Sequence, residues 1–399
     1  MFSFEVSAKD KDARIGKIVT PHGPIETPSF VPVGTHGTVK ALSVEDLRKI
    51  GSQVIISNTY HLHLQPGEDL IEMMGGLHRF MGWEGPLITD SGGFQIFSLG
   101  AAREHGVGKV APIFPEEKDR GGHLSPKMKK NLVHVDEDGV EFISYLDGSL
   151  HRFTPEGVIR TEQKLGADII LPLDECTSPL HDYHYTRAAM ERTHSWAERA
   201  LKEFRQTPSN NQALMGIIQG GAYRDLREES ARVISDQDFD GFAIGGSLGR
   251  SKGDMHRVLE WTISLLPQDK PRHLLGIGEI EDIFEVVKRG IDLMDCVLPT
   301  RLGRTGTFFV KKTKQFRIHI LNSKFKDDPR PVEERCDCHT CSRYSRAYLR
   351  HLFIAREPLA MYLATIHNLY FVESLMRQIR SAIREMRLDK LEEEWLSTI

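Results

Sequence analysis

The chain alternates short apolar runs with longer stretches in which apolar residues recur every three or four positions. Eight such runs fall within the first 300 residues, at 30–34, 53–58, 86–90, 167–174, 214–221, 242–246, 273–278 and 293–299. Most lack the in/out alternation of a strand with one wet face. Near-continuous apolarity suits parallel strands buried on both sides. Between them, 43–50 opens at Ser43, a side chain able to cap a helix. Segment 154–166 opens at Thr154, has Pro155 in its first turn and closes on a glycine. Segments 254–266 and 280–290 also carry helical periodicity. Eight strands interleaved with helices predict an α/β fold, a (β/α)8 TIM barrel, and a doubly wound open sheet is the alternative with the same pattern. Residues 101–151 break the alternation with glycines, charges and one β-like stretch, and are expected to form an excursion above the barrel. The expected division is a barrel over 1–310 and a smaller C-terminal unit over 311–399.

Composition narrows the class without changing this picture. The 399 residues are 40% apolar and 27% charged, with 34 Gly and 19 Pro, which excludes collagen-like and low-complexity chains. No run approaches the ~20 apolar residues of a membrane span. The first residues carry charges where a secretory signal needs an apolar centre. Five cysteines do not make a disulfide scaffold, so a reducing, cytoplasmic setting is expected. The net charge of −4 hides an asymmetry, because residues 299–356 hold fourteen Lys and Arg against five Asp and Glu. A basic segment in an otherwise acidic chain points to a polyanionic partner.

Candidate chemistry falls at the strand ends. Asn58, Asp90, Asp174, Gln219 and Asp295 close apolar runs, and Gly245, Gly246, Gly276 and Gly278 lie at equivalent places. In a barrel these positions converge on one mouth, where glycines let a flat ligand approach the backbone. Near the C-terminus, Cys336, Cys338 and Cys341 put three thiols into six residues, a density that points to a Zn2+ site. His339 is poorly placed to close the tetrahedron, and spacing does not choose between His351 and His367. Cys176 and Cys296 follow acidic strand ends and read as barrel residues. Arg301 and Arg304 sit just beyond Asp295, followed by Lys311, Lys312, Lys314 and Arg317, while Arg343, Arg346 and Arg350 flank the cysteine loop. A basic lobe beside an acidic mouth suggests a nucleic acid held while one nucleotide enters the pocket.

Four motifs occur in order: Asp90-Ser91-Gly92-Gly93-Phe94-Gln95, then GIIQGG at 216–221, then DCVLPTR at 295–301, then Cys-x-Cys-x-x-Cys at 336–341. Together the chain resembles the tRNA-guanine transglycosylases, also called queuine tRNA-ribosyltransferases, over essentially its whole length. The resemblance implies a (β/α)8 barrel with a zinc subdomain near its C-terminal end. It implies exchange of guanine at wobble position 34 of tRNAs with a GUN anticodon (Asp, Asn, His, Tyr) for a free 7-deazaguanine base, preQ1 or queuine. Asp295 matches the family nucleophile and Asp90 the general acid/base. Ser91, Gly92, Gly93, Phe94, Gln95, Asp174, Gln219, Gly245, Gly246, Leu275 and Gly276 match the base-binding positions, with Phe94 as the stacking aromatic. Gly276, Ile277, Gly278, Glu279, Ile280, Glu281, Asp282, Thr300, Arg301, Leu302, Gly303 and Arg304 match RNA-contacting segments. The family's fourth zinc ligand, in a His-Asn-Leu context, falls on His367. The family further implies a homodimer.

One loop departs from the usual bacterial pattern. Gly-Gly-Leu-Ala-Val-Gly-Glu is replaced by Gly245-Gly246-Ser247-Leu248-Gly249-Arg250, which is one residue shorter and lacks the glutamate. In the family that glutamate supports recognition of preQ1, and the variant loop is similar to that of chlamydial members. A roomier, less acidic pocket is expected to admit queuine.

Overall fold

The computed structural model describes residues 2–97, 133–206 and 211–397. Eight parallel strands form one sheet: Ser29–Pro32, Ile55–Asn58, Leu87–Asp90, Ile169–Ile170, Ala213–Ile218, Gly241–Ile244, Arg272–Leu274 and Leu293–Cys296. They are the first to eighth barrel strands below. The eighth pairs with the first, and a parallel bridge from Val33 to Ile56 joins the first to the second. The sheet therefore closes into a barrel, which decides against the open-sheet alternative. All eight apolar runs contribute strands. The ladder of the fourth is shorter than its run, because only Ile169 and Ile170 pair with both neighbours.

Helices return the chain between strands for the reasons the sequence suggests. Ser43 caps Val44–Ile50 by accepting from the Asp46 amide, and the Asp46 carboxylate accepts from Ser43 in return. Thr154 caps Pro155–Leu165, which ends at Gly166 with φ of 74°. Beyond these stand Tyr183–Gln206, Arg224–Ser235, Lys252–Ile263 and Ile280–Lys288.

The barrel is filled by side chains. Val31, Ile56, Ile88, Ile169, Met215, Ile217, Ala243 and Leu293 form one buried cluster, joined by Ile18 and Ile25 of an N-terminal sheet. That sheet, Ser3–Asp10, Ala13–Thr20 and Gly23–Thr27, thus plugs the N-terminal end. There Arg14 Nε donates to Asp292 at 2.9 Å. Asp168 accepts from His22 Nδ1 at 2.8 Å, His78 Nε2 at 3.1 Å and the Leu87 amide at 2.8 Å. The two imidazoles stack at 3.6 Å and 18°. Rings so close and parallel cannot both hold one ion in their planes, so this trio is a hydrogen-bonded brace.

Of the expected excursion, the stretch up to residue 132 lies outside the described residues. Its remainder is a three-stranded antiparallel sheet, Val133–Asp136, Gly139–Ile143 and Leu150–Phe153. After the eighth strand come the helix Leu298–Arg304 and a hairpin, Thr307–Phe309 with Arg317–His319. The chain then passes through the cysteine loop to helices Arg346–Ala355, Pro358–Arg384 and Leu388–Leu396. The 27-residue helix turns back onto the barrel. Its Ile366, Leu369, Val372, Met376, Ile379 and Ile383 share a core with Phe30, Ile50 and Phe284. No helix among the described residues is long and apolar enough to cross a membrane.

Candidate active site and metal centre

Asp90 ends the third strand, and its carboxylate is held from several sides. Asn58 Nδ2, one strand away, donates to both oxygens at 2.8 and 2.7 Å. The amides of Thr59 and Gly92 donate to Oδ1 at 3.3 and 3.2 Å. Burial pushes the carboxyl up to about 7, the Asn58 bonds pull against that, and the charge of Asp295 adds to the rise. Both acids stand at the C-terminal ends of strands of the one closed barrel.

Asp295 is the penultimate residue of the eighth strand. Its Oδ1 accepts from His273 Nε2 at 3.0 Å and from the Gly276 amide at 3.3 Å. His273 lies inside the barrel, fully buried, on the seventh strand. Its Nδ1 has no hydrogen-bond partner among the described residues. Oδ1 is thus engaged twice.

A second polar pair lines the mouth. Gln219 Nε2 donates to Asp174 Oδ2 at 2.5 Å, and Ser91 Oγ donates to Oδ1 at 3.4 Å. Burial raises Asp174 to about 6 against these two bonds. Among the described residues, Gln219 Oε1 is buried without a partner, as is Gln95 Oε1. Orphaned acceptors of this kind mark a place where a ligand supplies donors. The glycines are required by close approach. A Cβ on Gly246 would meet Gln219 Oε1 at 1.9 Å, and one on Gly92 would meet Tyr60 Cβ at 2.6 Å. Phe94 stands 54% exposed, an aromatic face open to solvent. Leu275 packs part-buried against the barrel cluster. Of the expected base-binding residues, Ser91, Gly92, Gly93 and Gln219 thus meet Asp90 or Asp174, Gly245 and Gly246 lie against Gln219, and Gly276 meets Asp295.

The expected RNA-contacting residues divide. Arg301 is exposed, and Leu302, Glu279 and Glu281 are half-buried. Ile277, Ile280, Asp282 and Thr300 are buried, and Gly278 and Gly303 are packed against Cys296 and Thr365. Arg304 Nη1 is buried without a partner among the described residues. Much of the basic segment is engaged within the fold. Arg317 pairs with Glu279, Arg346 and Arg330 with Asp328, and Lys311 sits over Trp395.

The cysteine loop meets the long helix. The sulfurs of Cys336, Cys338 and Cys341 lie 3.8, 3.5 and 3.2 Å from His367 Nδ1. Zinc bonded to thiolate at ~2.3 Å and imidazole at ~2.0 Å in a tetrahedron separates sulfur from nitrogen by about 3.5 Å. His367 Nε2 donates to the Phe309 carbonyl at 2.7 Å, which fixes the tautomer and aims the Nδ1 lone pair at the sulfurs. The four residues fit a metal ion. His351, the other histidine left open by spacing, is exposed and outside the group.

Two residues escape a sequence reading. His273 looks like one more position in an apolar strand. Arg227, in RDLREESARV, looks like one charge among many on a wet helix face, yet it is fully buried behind the pocket loops. Fold and site together define a protein of the barrel class whose C-terminal lobe carries a Cys3His cluster that could hold a metal ion.

A family model described as queuine tRNA-ribosyltransferase matches residues 9–113 and 115–399. A queuine tRNA-ribosyltransferase of Roseiflexus is 47% identical over 407 residues, 99% of each chain. One from Herpetosiphon aurantiacus is 48% identical over 397 residues, 99% of this chain and 92% of the relative. One from Caldanaerobacter subterraneus is 47% identical over 396 residues, 98% and 96%. The chain belongs to the queuine tRNA-ribosyltransferase family and is a pentosyltransferase.

Proposed function

We propose that this enzyme exchanges guanine at wobble position 34 of GUN-anticodon tRNAs for a free 7-deazaguanine base through a ribosyl ester on Asp295. The observation that carries it is that Asp90 and Asp295 stand at the C-terminal ends of strands of one closed barrel, with the bonded pair Asp174 and Gln219 following the fourth and fifth strands of the same barrel. Replacing one base by another with the same stereochemistry takes two inversions, hence a carboxylate nucleophile. Asp295 Oδ2 attacks C1′, and the C1′–N9 bond breaks as N9 takes a proton from Asp90. The incoming base then returns its N9 proton to Asp90 while N9 attacks C1′ and the Asp295 carboxylate leaves. Protons and bonds balance over the cycle, so no external energy source is needed. A carboxyl near 7 is suited to both halves. Asp174 would accept from N1–H and the 2-amino group of the guanine-like edge, with Gln219 and the Gly245–Gly246 backbone at its side. Phe94 would stack on the ring, and Arg301 would meet the RNA beside the wobble nucleotide.

The incoming base is preQ1 or queuine, and the variant loop favours queuine. Asp254, the acid nearest that loop in sequence, is engaged by the amides of Arg250 and Ser251 in capping Lys252–Ile263. The working enzyme is a cytoplasmic homodimer on this reading. The metal is zinc, and structural, because three thiolates and an imidazole leave no open position. Chelation should release one zinc and strip amide-exchange protection from residues 307–384 while the barrel strands stay protected. Folded, metal-free protein lacking only chemistry would overturn that assignment.

The function is tested with labelled guanine, a GUN-anticodon tRNA and the competing bases. Wild type should incorporate label and form a denaturation-resistant RNA adduct. Asp295→Ala should keep its fold and lose about 10⁴-fold or more in exchange, with no adduct. Exchange by Asp295→Ala, or its absence in wild type, refutes the mechanism. A strong preference for preQ1 would end the queuine reading.

A further inference from the structure

Arg227 sits on helix Arg224–Ser235 with no exposure to solvent. Its guanidinium makes four hydrogen bonds, all to backbone carbonyls. Nε donates to Gly221 at 2.7 Å and Nη1 to Ile218 at 2.9 Å. Nη2 donates to Gly245 at 2.9 Å and Ser247 at 2.8 Å. No carboxylate among the described residues takes part, which is uncommon for a buried cation. Burial alone pulls its pKa down to about 9. Holding an unpaired charge there is costly, and any well-packed apolar side chain would fasten the helix more cheaply. What an apolar residue could not do is hold four carbonyls at set angles.

The identity of those carbonyls gives the reason. Ile218 and Gly221 bracket Gln219, and Gly245 and Ser247 bracket Gly246. The same guanidinium thus spans the loops after the fifth and sixth strands, the two that carry the recognition edge beside Asp174. Peptides are planar, so a carbonyl fixed toward the helix also fixes the direction of the amide that follows. There is little slack beneath. A Cβ on Gly220 would meet the Arg227 amide nitrogen at 2.8 Å, so the loop rests directly on the helix. Ser230, one turn along, adds a smaller hold, its Oγ accepting from the Gln219 amide at 3.1 Å.

We propose that Arg227 is a positioning residue for base recognition, a clamp that keeps both walls of the pocket in their binding geometry while the pocket stands empty between departure of one base and entry of the next. The proposal rests on the base-exchange reading above. It makes the free base, not the tRNA, the substrate that feels the residue, because the tRNA's guanine is delivered by many contacts elsewhere and the free base has only the pocket.

The test is steady-state exchange with Arg227→Lys, Arg227→Gln and the gentler Ser230→Ala, each with folded active sites counted by adduct formation. KM for the free base should rise about tenfold in Arg227→Lys or Arg227→Gln and about threefold in Ser230→Ala, with kcat and the KM for tRNA within about twofold of wild type. A merely structural role would lower the count of active sites and leave every constant per site unchanged. That result, or equal rises in both KM values, overturns the proposal. If the arginine variants do not fold, an unchanged base KM in Ser230→Ala overturns it. Absence of exchange by wild type would instead sink the underlying reading.

Discussion

At the N-terminal end of the barrel Arg14 meets Asp292, and Asp168 takes hydrogen bonds from two histidines and a backbone amide. Burial pushes Asp168 up, but the bonds from His78 and His22 outweigh it and leave its pKa below the usual carboxylate value. At the opposite end Asp90 and Asp174 are also hydrogen-bonded, yet burial wins and lifts them to about 7 and about 6. Similar side chains at the two ends of the same strands have opposite fates. The difference lies in what surrounds them. The lower acid is met by imidazole donors, whereas Asp90 is held by the Asn58 amide and feels the charge of Asp295, and acceptors on Gln95 and Gln219 stay unpartnered among the described residues. One end is arranged to be stable and the other to receive something.

Paired substitutions sharpen this contrast most. Asp90→Asn should lower exchange by about 10²- to 10⁴-fold. It should also raise Tm at pH 8. A carboxyl whose folded pKa lies above its unfolded value loses stability as pH climbs from about 4 toward 7, and the amide escapes that loss. Asp168→Asn should do the reverse. Its depressed pKa contributes stability above the unfolded pKa that is lost as pH falls, so the variant should be less stable at pH 8 by about 2–3 kcal/mol, with kcat and KM unchanged. Thermal melts across pH 4–8 check both, and equal Tm changes of one sign would dissolve the distinction between the ends. The smallest effect concerns His273, which reaches the working end from inside the barrel. His273→Phe should lower kcat about tenfold, as expected from losing one hydrogen bond to a charge, about 1.5 kcal/mol, while the KM for base stays put. Single-turnover adduct formation locates the loss in the Asp295 step.

The strands were legible because parallel strands need apolar side chains on both faces, and that leaves runs such as QVIISN and LMGIIQGG in plain view. The acids at their ends were legible for the same reason, as polar residues closing apolar runs. The N-terminal plug was not, since Ser3–Asp10 alternates exposed and half-buried positions and only a few residues of that sheet, Ile18 and Ile25 among them, enter the barrel. Nor does spacing reveal that the last long helix returns to the barrel or that His367, not His351, faces the thiols. Both follow from where the helix docks. The basic segment read as one surface, but pairing within the fold takes up Arg317, Arg330 and Arg346. His273 and Arg227 are chemical residues in ordinary-looking surroundings, and tertiary contact alone tells them apart from packing and solvent-facing neighbours.

On the helix Pro358–Arg384, His367 faces the sulfurs while the next residue, Asn368, accepts from the Phe309 amide at 2.9 Å and donates to the carbonyls of Pro299 and Thr307 at 3.0 Å. A single turn therefore fastens the thiol loop, the hairpin and the chain that has just left Asp295. Anyone wishing to transplant this lobe onto another scaffold would find no clean seam to cut. The graft would have to bring along the helix and the stretch from 299 to 309, and a recipient without them would gain an ion but no connection to its chemistry.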